Sequence, residues 1–253
     1  MTGAVPEPLP GWLSSARRIC VLTGAGISTD SGIPDYRGPK GVWTRDPDAE
    51  KLVTLSYYLA DPAIRRRSWL MRRDLQVADP KPNAGHAALV QLERQGRLRV
   101  LVTQNIDGLH QAAGSSPGRV LEIHGTVDAV VCTACGDRTP MRAALDRVEA
   151  GEADPACLVC GGILKSATVY FGEVLDERVV EEAAAAASDC DVFLAVGTSL
   201  QVWPAAGLAD LAVRSGARLV VVNAEPTPYD EVADLVVREP IGTALPLLVR
   251  STD

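Results

Sequence analysis

Arg18-Ile-Cys-Val-Leu-Thr23 runs straight into Gly24-Ala-Gly-Ile-Ser28. A nearly unbroken apolar run predicts a strand buried on both faces, because a half-exposed strand alternates apolar and polar residues. The glycines that follow predict a tight turn with a helix behind it. Glycine there lets the backbone approach a pyrophosphate, and a helix N-terminus adds N–H donors and a positive dipole. The same punctuation recurs along the chain. Arg99-Val-Leu-Val-Thr103 ends at Gln104-Asn-Ile-Asp107, Asp191-Val-Phe-Leu-Ala-Val196 at Gly197-Thr-Ser199, and Arg218-Leu-Val-Val-Val222 at Asn223. Leu235-Val-Val237 reads as a fifth strand, and helical patterns at Ala87–Gln95, Glu177–Ala187 and Ala205–Arg214 lie between the strands. Strands alternating with helices predict an α/β fold around a doubly wound parallel sheet. Such sheets bind ligands beyond the carboxyl ends of their strands. The small and amide residues just quoted all sit there, which makes a nucleotide-shaped constellation.

The details disfavour a hydride-transferring dehydrogenase. Thr29 holds the place of the third glycine of the dinucleotide fingerprint. The acidic ribose anchor expected about 20 residues on falls at Asp46 or Asp48, in a loop-like context. Gly32-Ile-Pro-Asp-Tyr-Arg-Gly-Pro-Lys-Gly-Val-Trp43 is dense in glycine and proline yet carries Asp35, Tyr36, Arg37 and Trp43. Long loops of that kind are more often functional than spacers.

Composition bounds the rest. Apolar residues make up 47% and charged residues 23% of 253 residues, a globular mix. Aromatics are only 4%, so aliphatic residues must fill the core. A net charge of −7 argues against specific nucleic-acid binding and suits a lysine-rich protein partner. No segment approaches the ~20 consecutive apolar residues of a membrane span, so no membrane association is expected. Met1 to Gly11 holds prolines and no basic stretch, which reads as a loose tail and not a secretory signal. The expected location is cytoplasmic, where paired cysteines more often hold metal than form disulfides.

Val131 to Val169 breaks the α/β rhythm. Cys132-x2-Cys135 and Cys157-x2-Cys160, with 21 residues between them, supply four thiolates for a tetrahedral Zn2+. Gly136 and Gly161 follow the two knuckles, where a tight turn is needed. Four sulfurs leave no open position for water, so the metal is expected to be structural. Cys20 and Cys190, in or beside strands, read as inert core thiols. The fold expected is therefore a Rossmann-like doubly wound sheet with a small inserted zinc-ribbon module. The expected division is an N-terminal tail and first helix (1–17), a nucleotide-binding domain (18–130 and 170–253, with a helical insertion at about 38–80), and the zinc module (131–169).

There are three histidines. His124, in Glu122-Ile-His-Gly125, lies between the sheet ends and the zinc module, which favours a general base. His110 is placed to order the loop that it follows, and His86 to cap a helix start.

These residues resemble the sirtuins, the NAD-dependent protein deacylases. The resemblance rests on Gly24-Ala-Gly-Ile-Ser, Gly32-Ile-Pro-Asp-Tyr-Arg, Thr103-Gln-Asn-Ile-Asp-Gly-Leu-His, Glu122-Ile-His-Gly, the paired knuckles, Phe171-Gly-Glu, Gly197-Thr-Ser-Leu and Val222-Asn, in family order over nearly the whole chain. It implies that Gly24, Ala25, Gly26, Ser28 and Thr29 cradle the pyrophosphate of NAD+. Asp35, Tyr36, Arg37 and Trp43 would close over the nicotinamide ribose. Gln104, Asn105, Ile106 and Asp107 would form the nicotinamide and ribose pocket. Gly197, Thr198, Ser199, Asn223, Ala224, Glu225 and Ile241 would hold the adenosine half. Val169, Phe171, Gly172 and Glu173, with Val202 and Trp203, would flank an acyl-lysine peptide as edge strands.

The chemistry that it implies is attack of the acyl oxygen on the nicotinamide ribose, loss of nicotinamide, and a proton taken from a ribose hydroxyl by His124, with Asn105 also catalytic. Free lysine and an O-acyl-ADP-ribose result, and a deacetylase is the first expectation. Two other readings stay open: a protein mono-ADP-ribosyltransferase using the same pocket, and an NAD-responsive binding module. The chain also departs from the family. Tyr36 stands where many members have phenylalanine. Trp69 and Arg72 stand where members that remove acidic acyl groups carry a tyrosine and an arginine. Lys165-Ser-Ala-Thr-Val169 lacks the usual Pro-Asp before the peptide strand.

Overall fold

The computed structural model describes residues 3–39 and 41–250. Met1 and Thr2 of the tail, and Lys40 of the loop, lie outside these. Among the described residues nine strands are formed: β1 (Ile19–Thr23), β2 (Leu98–Thr103), β3 (Val120–Glu122), β4 (Gly125–Cys132), β5 (Arg138–Pro140), β6 (Leu164–Thr168), β7 (Val192–Val196), β8 (Arg218–Val222) and β9 (Leu235–Val237). Six of them make a parallel sheet in the order β3-β2-β1-β7-β8-β9. The other three form an antiparallel sheet, β5-β4-β6. The five expected strands are present. The sixth, β3, was not legible: three residues are too few to show a period.

The continuous apolar runs follow from a two-faced core. On β1, Ile19 and Val21 join one cluster while Cys20 and Leu22 join the other. On β7, Val192, Leu194 and Val196 face one way, Phe193 and Ala195 the other. Helices Ala84–Arg94 and Ile241–Val249 cover the first face through Leu89, Leu92, Leu245 and Leu248. Helices Glu177–Ser188 and Gly207–Arg214 cover the second. Ala183, Ala186 and Ala187, from the alanine run, pack flat there against the sheet. Fully burying one leucine is worth roughly 1.5–3 kcal/mol, so the two layers supply most of the stabilisation. Phe193 is the one aromatic residue among the buried members of these clusters, as the composition anticipates.

Register decides where the site lies. Thr23 pairs with Thr103 and Val196, Thr103 with Glu122, Val196 with Val222, and Val222 with Val237. The strands therefore end level, and the residues that follow emerge on one edge. The chain leaves β1 in opposite directions across the sheet, towards β2 and β3 and towards β7 to β9. The crevice outside the β1/β7 switch point is the place where such sheets take a ligand.

One expectation needs correcting. The described part of the N-terminal tail, residues 3–11, is not loose: Leu9 is buried in the first cluster, and Arg238 donates its backbone N–H to the Gly3 carbonyl. The helix expected behind the Gly24 turn is present, as a 3-10 helix, Ala25–Ser31. The second sheet begins at Gly125 and carries a helix, Met141–Glu149. Trp69, from the Pro62–Ala78 helix, is 1% exposed and packs with Val130, Cys132, Met141 and Leu164. The helical insertion and the cysteine-bearing module thus share one core.

Candidate active site

A cavity of about 1360 Å3 opens along the level strand ends. Single small-molecule sites usually occupy about 300–1,000 Å3, so this one has room for two substrates.

One wall is the contact between two turns. The Gly26 N–H donates to the Gly197 carbonyl at 2.9 Å, and the Gly24 N–H to the Val196 carbonyl at 3.0 Å. A Cβ on Gly26 would stand 2.7 Å from the Gly197 Cα. The glycines are thus required by the approach of one turn to another, which brings their backbones together at the cavity edge. Gln104 donates from Nε2 to Thr198 Oγ1 at 2.8 Å and ties the β2 end to the same wall.

Asn105 is buried, and its Nδ2 donates to the Gly24 carbonyl and to Ser28 Oγ. Its Oδ1 is thereby left as the acceptor for whatever enters. Ser28 Oγ donates to Asp107 Oδ2 at 2.7 Å, and Asp107 Oδ1 accepts from the Leu109 N–H. Ser28 and Asp107 therefore stand behind Asn105 and do not line the cavity.

His124 lines the cavity, with Nδ1 3.0 Å from the Gln104 carbonyl. A carbonyl oxygen only accepts, so Nδ1 carries the proton and the neutral ring keeps its lone pair on Nε2. Burial pushes the imidazole pKa below its ordinary value, and the bond to Gln104 partly opposes this. The ring is thus an unprotonated base near neutral pH.

The Asp35–Trp43 loop closes the cavity from above. Asp35 Oδ1 accepts from the Gly38 N–H, the Arg37 guanidinium lies 4.5 Å over the Trp43 ring, and Tyr36 packs on Trp43 at 4.9 Å. Trp43 also meets Phe171 at 5.6 Å. Phe171 belongs to the segment after β6, whose Val169 N–H donates to the His124 carbonyl at 2.8 Å. The base and this segment are therefore fixed to each other directly.

Most of the expected residues meet at this cavity. Gly24, Ala25, Gly26, Asp35, Tyr36, Arg37 and Trp43 line it. So do Gln104, Asn105, Ile106, His124, Gly197, Thr198, Ser199, Asn223 and Glu225. Val169, Phe171, Gly172, Glu173, Val202 and Trp203 complete the other half. Thr29, Ala224 and Ile241 do not line it. Thr29 is exposed and donates to the Gly26 carbonyl; Ile241 packs against the core. Thr168, Val180 and Glu181 were missed by sequence reasoning and line it. Only a motif already flanked on both sides could have found Thr168.

Cys132, Cys135, Cys157 and Cys160 converge from a span of 28 residues, with their sulfurs all within 4.8 Å of one another. Cys132 and Cys160 lie 3.5 Å apart and Cys135 and Cys157 3.7 Å. A tetrahedron with Zn–S bonds of about 2.3 Å has sulfur separations of about 3.8 Å, so the donor set fits Zn2+. The Ala134 and Gly162 N–H groups donate to the Cys132 and Cys160 sulfurs, as thiolates require. A Cβ on Gly162 would fall 2.9 Å from the Cys132 sulfur. Gly136 and Gly161 take φ of +74 and +73°, the left-handed turns expected after each knuckle. The other two cysteines are inert: both are buried, and burial pushes the Cys190 thiol up to about 11.

Residues 24–204 match the model of the Sir2 family. The chain belongs to the Sir2 family. It is 66% identical over 232 residues to the NAD-dependent protein deacetylase 2 of Streptomyces coelicolor, covering 92% of this chain and 96% of that one. It is 41% identical to the NAD-dependent protein deacetylase 1 of Bradyrhizobium diazoefficiens, over 94% of this chain and 93% of the relative. Among solved structures, a Sir2 protein with a deacetylated p53 peptide and 3'-O-acetyl ADP ribose superposes with a TM-score of 0.85 at 33% identity, over 94% of both chains. A Sir2 structure with a p53 peptide and NAD+ has a TM-score of 0.81 at 34% identity, over 92% of both. The sequence-based resemblance to sirtuins is thus borne out for family and fold. No helix of the described residues is long and apolar enough to cross a membrane.

Proposed function

We infer that this protein is an NAD-dependent protein deacetylase that removes acetyl groups from lysine side chains and yields nicotinamide, O-acetyl-ADP-ribose and free lysine. The observation that carries the residue assignment is the His124 tautomer. With Nδ1 bound to the Gln104 carbonyl, the bare Nε2 accepts a ribose hydroxyl proton. Asn105 offers Oδ1 to the nicotinamide end, and the Gly24–Gly26 and Gly197–Ser199 turns present backbone to the pyrophosphate. Asp35, Tyr36, Arg37 and Trp43 exclude water while the glycosidic bond is exposed. The Val169–Glu173 segment and Val202–Trp203 hold the acetyl-lysine peptide, a role supported by relatives solved with peptides.

Zinc, held by the four cysteines, staples the module and takes no part in the chemistry. We assign the nucleotide half to 18–130 and 170–253 and the metal module to 131–169, and we place the protein in the cytoplasm on its reduced cysteines. Acetyl is favoured over an acidic acyl group because Arg72 is 5% exposed, lies away from the cavity lining, and is committed to Ser68, Ser166 and Tyr170. His124→Ala is expected to leave NAD+ binding and melting temperature unchanged and to cut peptide-driven nicotinamide release by roughly 10²–10⁴-fold. Near-wild-type release would remove His124 as the base.

A further inference from the structure

His86 and His110 lie behind the cavity wall, 0% and 1% exposed, with ring centroids 4.9 Å apart. No step above uses them. Each has one ring nitrogen without a hydrogen-bond partner: Nε2 of His86 and Nδ1 of His110. Buried polar atoms are rarely left so, because each costs about 1–3 kcal/mol.

The proton positions can be worked out from their neighbours. The Asn83 backbone N–H donates to His86 Nδ1 at 3.3 Å, within the cap of the Ala84–Arg94 helix. That nitrogen must be bare, so the His86 ring is neutral and carries its proton on Nε2. On the other ring, His110 Nε2 lies 2.9 Å from Thr23 Oγ1. Thr23 Oγ1 lies 2.8 Å from Thr103 Oγ1, which accepts the Asn105 backbone N–H at 3.0 Å. The donor on His86 needs an acceptor, and His110 Nδ1 serves only if the His110 proton sits on Nε2. His110 then donates to Thr23, and Thr23 to Thr103. Thr23 has one hydroxyl proton and gives it to Thr103, so it accepts from His110 Nε2–H, which leaves His110 Nδ1 bare.

We propose that His86 and His110 are positioning residues: two neutral imidazoles, joined through one buried water, that orient a hydrogen-bond relay from the Asn83 cap to the Asn105 amide. Burial keeps both rings neutral, and His110 is held down to about 3. The relay fixes the backbone from which the Asn105 side chain reaches the cavity, at the junction of β1 and β2.

The first test is 15N NMR of the imidazoles in the intact protein at neutral pH. Both rings are expected as Nε2–H tautomers. A charged ring, or His110 as the Nδ1–H form, overturns the relay. The second test is kinetic and rests on Asn105 acting in deacetylation; the tautomers do not, so the two failures are distinguishable. His86→Ala and His110→Ala are each expected to lower kcat at least tenfold with peptide KM within twofold. The double variant should be no slower than the worse single one. Unchanged kcat, or losses that multiply, overturn the coupling. If either variant does not fold, Thr23→Val removes the relay hydroxyl at nearly constant shape. It should show the same kcat loss, and an unchanged kcat overturns the proposal.

Discussion

Replacing Gly197 by alanine tests the contact on which the cavity wall is built. Gly197 has φ +60°, where an L side chain costs about 1 kcal/mol. The new Cβ would lie 2.4 Å from the Ile27 N and 2.7 Å from the Gly26 carbonyl carbon. Both are backbone atoms, so no flexible side chain can give way. Forcing a packed backbone aside costs typically 1–3 kcal/mol, which brings the total to about 2–4 kcal/mol. At roughly 2–4 °C per kcal/mol for a chain of this size, the melting temperature should fall by roughly 5–15 °C. Gly96 is the control, with φ +68° and nothing within 4 Å of its would-be Cβ. Gly96→Ala meets only the backbone term and should lose roughly 2–4 °C. The assay is differential scanning calorimetry of both variants, with NAD+ affinity by titration. Relief of the clash must separate the Gly24–Ile27 turn from Gly197, so NAD+ affinity should fall at least tenfold in Gly197→Ala and stay within twofold in Gly96→Ala. If Gly197→Ala melts and binds like Gly96→Ala, the close approach does not shape the site.

Removing zinc with a chelator, or Cys157→Ser, should lower the melting temperature and expose the module to protease, because metal binding is folding energy; unchanged melting refutes a structural metal. Asp154→Ala leaves Arg65, whose partner stands at 2.7 Å with side chains 10% and 24% exposed, without its carboxylate. That should cost about 3 kcal/mol in chemical denaturation, and a change below 0.5 kcal/mol would contradict it. Stability should also fall in acid. The His110 pKa is about 3 when folded and about 6.5 when unfolded, so the unfolded chain binds more protons below pH 6.5. Stability from this group is complete above about 6.5, and roughly 2 kcal/mol of it is gone by pH 5. His86 and His124, also lowered by burial, act in the same direction. Urea titrations at pH 7 and 5 measure this, and equal stability at both would contradict it.

Much of the fold was legible because the strands are buried on both faces. Such strands advertise themselves as continuous runs, and β1, β2, β7 and β8 do. β3 is three residues long and could not. The Gly24 turn was legible as a turn with a helix behind it, but its contact with Gly197, some 170 residues away, carries no local signal. Cysteine spacing exposed the metal cluster, since sulfur geometry leaves few alternatives. The same spacing says nothing of the Trp69 contact, which joins a distant helix to that module. In the site, residues at strand ends were found because register is nearly fixed by the sheet. The pairing of His86 with His110 was not, because two histidines 24 residues apart carry no signal until the chain folds.

The central claim is that this cavity directs the NAD+ glycosidic bond to an acyl-lysine. Mass spectrometry of a reaction with NAD+ and an acetyl-lysine peptide tests it most directly. The account predicts a peptide lighter by one acetyl group, with O-acetyl-ADP-ribose formed in equal amount and only when both substrates are present. A peptide that keeps its acetyl group while ADP-ribose appears on a protein, or no nicotinamide despite tight NAD+ binding, would contradict it.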